Sequence, residues 1–307
     1  MKFAIFCKSF RDDVGRFLRL ADSVDRHNRD RLPFYVSVPS ADRRLFLDAL
    51  GSRNIALLSD EDVLGGRAEQ SWTTQQLVKL HAWRTGFADA WFWLDSDAYF
   101  IRDFGLVDFV REDGSVAFAA SPKLHVLEER WTDVAEALER PNAPEPLTLA
   151  DLGRPSVPRV GAVPFWQRWL DAVRRTSYEA RLPRIASFFG RTGPTLYYLP
   201  GAIWTKESVR SFEEQVLARL RMTFADLLRY APWEANWIGE WVIANGMHDR
   251  HIIESPFLHI RSDDAILRAR REGLDESRLA ARYLGLQLAA RHQQYERLDE
   301  RAASSTL

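Results

Sequence analysis

Short apolar segments alternate with amphipathic helical segments over the first 120 residues of this 307-residue chain. The predicted strands are residues 2–8, 34–38, 54–58 and 91–94, and the predicted helices span about 13–28, 40–51 and 74–87. Strands and helices that alternate at this spacing predict a mostly parallel sheet with helices on both faces. We therefore predict a mixed α/β fold, in which ligands bind beyond the carboxyl ends of the strands.

The remainder of the chain is less regular. Loops are predicted at residues 60–73, which lack periodicity, and at 141–164, which contain six prolines. Further strands are predicted at 115–120, 196–204, 252–253 and 257–260, and further helices from about 206 and at 232–245. Residues 264–301 are charged and rich in alanine and leucine, which predicts one or two surface helices.

Opposite charges are nearly balanced, with 42 Lys and Arg residues against 43 Asp and Glu residues. Because phosphate binding favours a basic excess, this balance argues against a nucleic acid polymer as the main partner. The single cysteine, Cys7, excludes a disulfide framework and a cysteine-based zinc site. The sequence shows neither a signal-like segment nor a run of 18 apolar residues. We expect a cytoplasmic protein, and peripheral association with the inner face of the membrane stays open.

Two carboxylates, Asp95 and Asp97, follow the most apolar predicted strand, at residues 91–94. In an extended chain residues i and i+2 point the same way, so both acids can reach one divalent cation. Such an ion would neutralise a diphosphate and stabilise it as a leaving group. One acid can instead cap a turn while the other is solvated, but the βα units that precede the strand favour the metal interpretation.

The residues around this pair resemble nucleotide-sugar-dependent glycosyltransferases of the glycosyltransferase-A fold, and bacterial members found with capsule and surface-polysaccharide genes above all. The matching segments are Gln75-Gln76-Leu77-Val78-Lys79-Leu80 and Trp93-Leu94-Asp95-Ser96-Asp97-Ala98-Tyr99-Phe100-Ile101-Arg102. The resemblance implies a donor-binding half at residues 1–120 and an acceptor-binding, catalytic half at 121–262 in the same globular body. The C-terminal helical segment would then span 263–307.

In that family the Asp-x-Asp carboxylates bind Mn²⁺ or Mg²⁺ and, through the ion, the diphosphate of the donor. The resemblance implies this role for Asp95 and Asp97, with His259 as a late third ligand. Donor binding is further implied for Lys8, Ser9, Asp60, Gln76, Lys79, Arg84 and Ser96. Structural alternatives exist, because Asp60 can cap a turn, His259 can be a core residue, and the two helix cations can lie on a solvated face.

The acceptor side should hold any catalytic carboxylate, and Glu234 and Glu240 in the predicted helix at 232–245 are the candidates. An inverting enzyme would use one of them as general base on the acceptor hydroxyl, whereas a retaining enzyme can dispense with it. Glu234 can instead be an acid favoured by the helix dipole, so Glu240 is the better candidate.

The 11 tryptophans are unusually many for this length. We expect Trp91 and Trp93 to pack against the sheet. Four others cluster in the segments assigned to the acceptor side, where rings can stack on a sugar face: Trp204, Trp233, Trp237 and Trp241.

The resemblance therefore implies an enzyme, a glycosyltransferase of the hexosyltransferase type. It would move a sugar from a nucleotide diphosphate sugar to a glycan or lipid-linked glycan acceptor, in bacterial surface polysaccharide synthesis. One alternative is a haloacid-dehalogenase-like phosphatase, with Asp263 and Asp264 as its late acidic pair, although that motif normally ends the first core strand. Another is a non-catalytic nucleotide- or carbohydrate-binding protein on the same fold.

Overall fold

A computed structural model describes residues 1–69, 71–121, 127, 134, 138, 178–198, 201–245 and 251–288. The strands in these ranges are β1 Phe3–Lys8, β2 Phe34–Val38, β3 Ile55–Ser59, β4 Ala90–Asp95, β5 Ala98–Phe100, β6 Phe118–Ala119, β7 Ala202–Thr205, β8 Ile252–Ile253, β9 Phe257–Ile260 and β10 Gly285–Leu288. The predicted proline-rich loop at 141–164 lies outside the described residues.

The α-helices are α1 Val14–His27, α2 Arg43–Leu50, α3 Asp60–Leu64, α4 Trp72–His81, α5 Tyr178–Phe188, α6 Lys206–Phe212, α7 Ala218–Leu220, α8 Phe224–Tyr230, α9 Glu234–Ala244, α10 Asp263–Arg271 and α11 Glu276–Leu279. A π-helical turn, Glu213–Leu217, joins α6 to α7, and short 3₁₀ turns lie at Arg11–Asp13, Ser40–Asp42, Ala82–Thr85 and Leu106–Asp108. No helix in the described part of the chain is long and apolar enough to cross a membrane.

The central sheet has five strands in the order β3-β2-β1-β4-β7. Its first four strands are parallel and β7 is antiparallel to β4. Two smaller sheets, β5-β10-β9 and β6-β8, lie beside it. The predicted mixed α/β fold with a mostly parallel sheet flanked by helices is thus confirmed.

Side chains that alternate along the strands fill two cores, one on each face of the central sheet. On β4, Trp91 and Trp93 pack into one core, and Phe92 and Leu94 pack into the other. This alternation is the expected consequence of the two-residue strand period, and it buries the strand completely on both faces. The prediction that Trp91 and Trp93 pack against the sheet is confirmed.

Two secondary-structure predictions are wrong in part. Asp60–Leu64 within the predicted loop is helical, because the Ser59 hydroxyl accepts a hydrogen bond from the amide of Asp62 and three acids occupy the first turn, where the helix dipole favours them. In the C-terminal segment predicted as helical, Gly285–Leu288 forms strand β10 instead. It is buried between β5 and β9, and this long-range pairing overrides local propensity.

Candidate functional site

The strand register places polar residues together at the carboxyl edge of the central sheet. Lys8, the last residue of β1, pairs with Ser37 of β2 on one side and with Asp95 of β4 on the other. Asp60 follows β3 directly and accepts a hydrogen bond of 2.6 Å from the Ser37 hydroxyl. Four parallel strands therefore deliver their terminal polar groups to a single edge, as expected for a ligand site in this fold class.

Lys8 and Asp60 form a buried ion pair at this edge. The Lys8 Nζ lies 3.0 Å from Asp60 Oδ2, and the two side chains are 3% and 2% exposed. The ammonium also donates to the backbone oxygen of Ser9. Burial raises the pKa of Asp60, although the charge of Lys8 opposes the shift.

Two adjoining cavities open above the strand ends. The smaller one, about 310 Å³ to its open mouth, is lined by Lys8, Phe10, Pro39, Asp60, Ala68, Glu69, Ser71, Thr74 and Gln75. The larger one, called the cleft below, measures about 720 Å³ and is lined by Lys8, Asp13, Arg16, Trp72, Gln75, Gln76, Lys79, Trp93, Asp95, Ser96, Asp97, Trp233 and Glu234.

Lys79 of α4 lies at the centre of the cleft's charges. Its Nζ is 2.6 Å from Asp95 Oδ1 and 3.3 Å from Glu234 Oε1, and it lies 3.9 Å from the centre of the Trp93 ring. Burial by itself lowers the pKa of Lys79, but the charges of Asp95 and Glu234 raise it above its ordinary value. Lys79 therefore remains an ammonium ion that neutralises two carboxylates.

Asp95 and Asp97 both line the cleft, but their environments differ. Gln287 of β10 donates a 3.2 Å hydrogen bond to Asp95 Oδ2, so both Asp95 oxygens have partners. Asp97 Oδ1 is inaccessible to solvent and has no hydrogen-bond partner among the described residues. Burial, followed by the like charge of Asp95, raises the pKa of Asp97 to about 7.

This pair fits a divalent cation, because a positive ion would satisfy the unpartnered Asp97 oxygen and offset the repulsion between the acids. His259 of β9 is next to Gln287 in the small sheet, and its Nε2 is buried without a partner among the described residues. Burial, aided by the charge of Arg261, lowers the pKa of His259 to about 4, which keeps the imidazole neutral at pH 7. Within the described ranges, however, no three His, Cys, Asp or Glu side chains are grouped as a metal site.

Of the two candidate catalytic carboxylates, only Glu234 lines the cleft. Glu234 is the first residue of α9 and is buried, and burial is the main reason that its pKa is raised. Glu240 lies in the interior, where the Arg191 guanidinium donates two hydrogen bonds of 2.6 Å to its carboxylate. The preference for Glu240 is therefore not supported by its position, because its charge is already paired in the core.

Three of the predicted donor-binding residues remain to be placed. Ser96 lines the cleft and donates a 3.0 Å hydrogen bond to Asp13. Arg84 lines neither cavity and is paired with Glu213 on the surface. Ser9 is fully buried, its hydroxyl has no partner within the described residues, and it lines neither cavity. Lys8, Asp60, Gln76 and Lys79 all line one cavity or both.

The four tryptophans of the acceptor-side segments differ in exposure. Trp204, Trp237 and Trp241 are at most 5% exposed, so these three rings pack in the core and do not form sugar platforms. Trp233 does line the cleft, together with Trp72, which is 57% exposed.

The sequence analysis missed four residues that line the cleft, Asp13, Arg16, Trp72 and Gln75, and also Gln287, which donates to Asp95. Asp13 lies in the turn between β1 and α1 and forms a 2.9 Å ion pair with Arg16 in the first turn of α1, where the rule for parallel sheets places ligand sites. A search of every strand–helix junction would have found these two residues. No local sequence pattern indicates that Gln287 lies near Asp95.

Comparisons with known proteins found a matching family profile and similar solved structures. The profile of a family of unknown function, DUF6492, matches residues 4–152, just under half of the chain. Proteins with curated descriptions gave no match. A solved structure of the bifunctional glycosyltransferase WbbM in its apo form is similar, with 13% sequence identity and a TM-score of 0.40. The alignment covers 92% of this chain and 45% of WbbM, so the chain spans less than half of that protein.

Proposed function

We propose that the chain is a glycosyltransferase that uses a nucleotide diphosphate sugar as donor and Mn²⁺ or Mg²⁺ as cofactor. The observation that carries the proposal is the placement of Asp95 and Asp97 in one cleft with Lys79, beside a second cavity that contains the Lys8–Asp60 pair. A nucleoside, a diphosphate and a sugar need adjoining sites of different kinds. The two cavities support such an arrangement because they share Lys8 and Gln75 in their lining.

The smaller cavity suits the nucleoside. Asp60 and Lys8 are buried at its base and offer an acceptor and a donor of hydrogen bonds. Phe10 and Pro39 contribute apolar walls against which a base or ribose can pack.

The diphosphate would lie over Asp95 and Asp97, which would hold the divalent ion. When bound, such an ion neutralises charge on the departing nucleoside diphosphate. Lys79 would place a second positive charge against the phosphates, and Arg16 also lines the cleft. Both cations favour an anionic ligand at this position.

Glu234 would be the carboxylate that acts on the acceptor, because it lines the cleft. Its Oε1 accepts a hydrogen bond from Lys79. A raised pKa brings a carboxylate nearer to the range in which it accepts a proton efficiently. An inverting reaction would use Glu234 in this way, and the anomeric configuration of the product distinguishes that reaction from a retaining one.

The acceptor would be a glycan or a lipid-linked glycan, as in the synthesis of bacterial surface polysaccharides. The phosphatase alternative is less favoured, because its late acidic pair, Asp263 and Asp264, begins α10 and lines neither cavity. A binding protein without catalysis would bind the donor but never release the sugar.

The test is a donor-hydrolysis and thermal-stability screen with UDP, GDP and CDP sugars, each with Mn²⁺, Mg²⁺ or EDTA. We expect one nucleotide class to raise the melting temperature when metal is present, and the matching donor to be hydrolysed slowly. Asp95→Asn and Asp97→Asn should each abolish the metal-dependent part of this rise in melting temperature. A parent protein that no nucleotide stabilises under any metal condition would refute the proposal, and p-nitrophenyl phosphate hydrolysis would favour the phosphatase.

A further inference from the structure

The amide of Gln76 is buried in the wall of the cleft without hydrogen-bond partners among the described residues. Gln76 is 2% exposed, and both its amide nitrogen and its amide oxygen are inaccessible to solvent and unpaired. Unpaired buried amides destabilise a folded protein and are uncommon. Such a group at the wall of a cleft points to a ligand that completes its hydrogen bonds.

Gln76 lies on one face of α4 between Trp72 and Lys79. The three residues are four and three positions apart, which places them in a row along the helix, and all three line the cleft. Lys79 at one end contacts Asp95, whereas Trp72 at the other end is 57% exposed despite its large apolar ring. The row therefore leads from the charged centre of the cleft, past an amide, to an accessible indole.

A second indole completes this part of the cleft. Trp233 immediately precedes α9 and lines the cleft next to Glu234. The ligand chemistry that matches two indoles and one amide is a pyranose. Its C–H face packs on aromatic rings, and its hydroxyl groups both donate and accept, as an amide side chain does.

The two cavities distinguish the parts of the donor. Lys8 and Gln75 line both cavities, but Trp72, Gln76 and Trp233 line the cleft alone. These three residues are therefore separate from the cavity assigned to the nucleoside. We propose that they form a subsite for the sugar ring of the donor, an inference that rests on the proposed function.

The experiment compares a nucleoside diphosphate with its sugar conjugate. Dissociation constants are measured with Mn²⁺ for UDP against UDP-glucose, UDP-galactose and UDP-N-acetylglucosamine, and for GDP against GDP-mannose. The variants are Gln76→Leu, Trp72→Ala and Trp72→Phe, with Val107→Ala as a control at a residue that is 78% exposed and lines neither cavity.

Gln76→Leu and Trp72→Ala should each lower the affinity for the preferred nucleotide sugar about tenfold, as expected for the loss of one ligand hydrogen bond or one stacking contact. Affinity for the matching nucleoside diphosphate should stay within about twofold of the parent. Trp72→Phe should retain most of the sugar affinity because it keeps an aromatic ring. The control should bind both ligands as the parent does.

A second readout comes from the ligand-free protein. Gln76→Leu replaces an unpaired buried amide with an apolar side chain of similar size, so the melting temperature should stay equal or rise. A fall of several degrees would show that Gln76 is structural and would overturn the subsite. An equal loss of affinity for the nucleoside diphosphate and for the nucleotide sugar would also overturn the proposed subsite, since the residues would then contact the nucleotide. Absence of nucleotide binding by the parent would instead refute the proposed function, and the subsite with it.

Discussion

The ammonium of Lys79 lies 2.6 Å from one carboxylate oxygen of Asp95 and 3.3 Å from one of Glu234, so a single cation joins α4 to both β4 and α9. Without a bound ligand, Lys79 thus supplies the positive charge that the acids at the strand end require. A divalent ion at Asp95 would take over part of this role.

Replacing Lys79 with Met should lower stability in EDTA, because two carboxylates lose their common counter-ion. We expect a loss of about 2 kcal/mol, the scale of a hydrogen bond to a charged group. Added Mn²⁺ should recover part of this loss. The measurement is the melting temperature in both conditions, with Lys79→Arg as the charge-retaining control. An unchanged melting temperature for the Met variant in EDTA would contradict the role of Lys79 as counter-ion.

Asp97→Asn should have opposite effects on stability and on metal response. In EDTA the variant should melt higher than the parent, because it removes a partly buried charge that is repelled by Asp95. The rise in melting temperature that Mn²⁺ and nucleotide produce in the parent should be absent in the variant. Asp113→Asn removes an exposed charge elsewhere and should respond like the parent. A Mn²⁺ response retained by Asp97→Asn would exclude Asp97 as a metal ligand.

Glu234→Gln and Glu240→Gln form a matched pair on one helix. Glu240→Gln breaks a buried ion pair with Arg191, so it should lose about 3–5 kcal/mol of stability while its folded fraction keeps normal turnover. Glu234→Gln should instead lower turnover, by about 100-fold if Glu234 is a general base. Urea unfolding and donor turnover per folded molecule separate the two effects. Loss of turnover in folded Glu240→Gln would restore Glu240 as a catalytic candidate.

His81 should make the fold sensitive to mild acid. Burial, with a contribution from the charge of Arg84, lowers the pKa of His81 from 6.5 to about 4. Above pH 6.5 the ring is neutral in both states, so it adds no pH dependence. As the pH falls from 6.5 towards 4, the unfolded chain binds a proton that the folded chain does not, and stability falls.

The limiting slope is about 1.4 kcal/mol per pH unit. The measurement is urea unfolding from pH 7.5 to 4.5 for the parent and for His81→Phe, which keeps an aromatic ring beside Phe224. The variant should lose less stability over this interval. Parallel curves for the two proteins would show that His81 does not titrate as described.

The fold of residues 1–120 could be predicted from the sequence because its signals are local. Strand period, helix amphipathicity and the acids that end β4 lie within short windows, and parallel strands necessarily bring Lys8, Asp60 and Asp95 to one edge. Gln76 and Lys79 could be identified as candidate donor-binding residues for the same reason, because they lie in one short segment, on the helix that precedes β4.

Beyond residue 120, the described elements depend on partners that are distant in the sequence. The aromatic residues around Glu240 favour it as a catalytic candidate. Its partner Arg191 is 49 residues away in the sequence, and no local pattern indicates their ion pair. Trp233 and Trp237 lie in the same tryptophan-rich segment, but Trp237 is buried. Only the packing of α9 distinguishes the two residues. Likewise, β10 has no strand signal strong enough to outweigh its charged, helix-like surroundings.

Strand β10 also determines when the residues at the end of β4 acquire their final hydrogen bonds. The Leu288 amide donates to the Asp97 backbone oxygen at 3.0 Å, and Gln287, 192 residues beyond Asp95, donates to that carboxylate. A nascent chain that has produced the whole central sheet still lacks these two contacts. Synthesis must therefore pass residue 288 before Asp95 and Asp97 acquire their final setting.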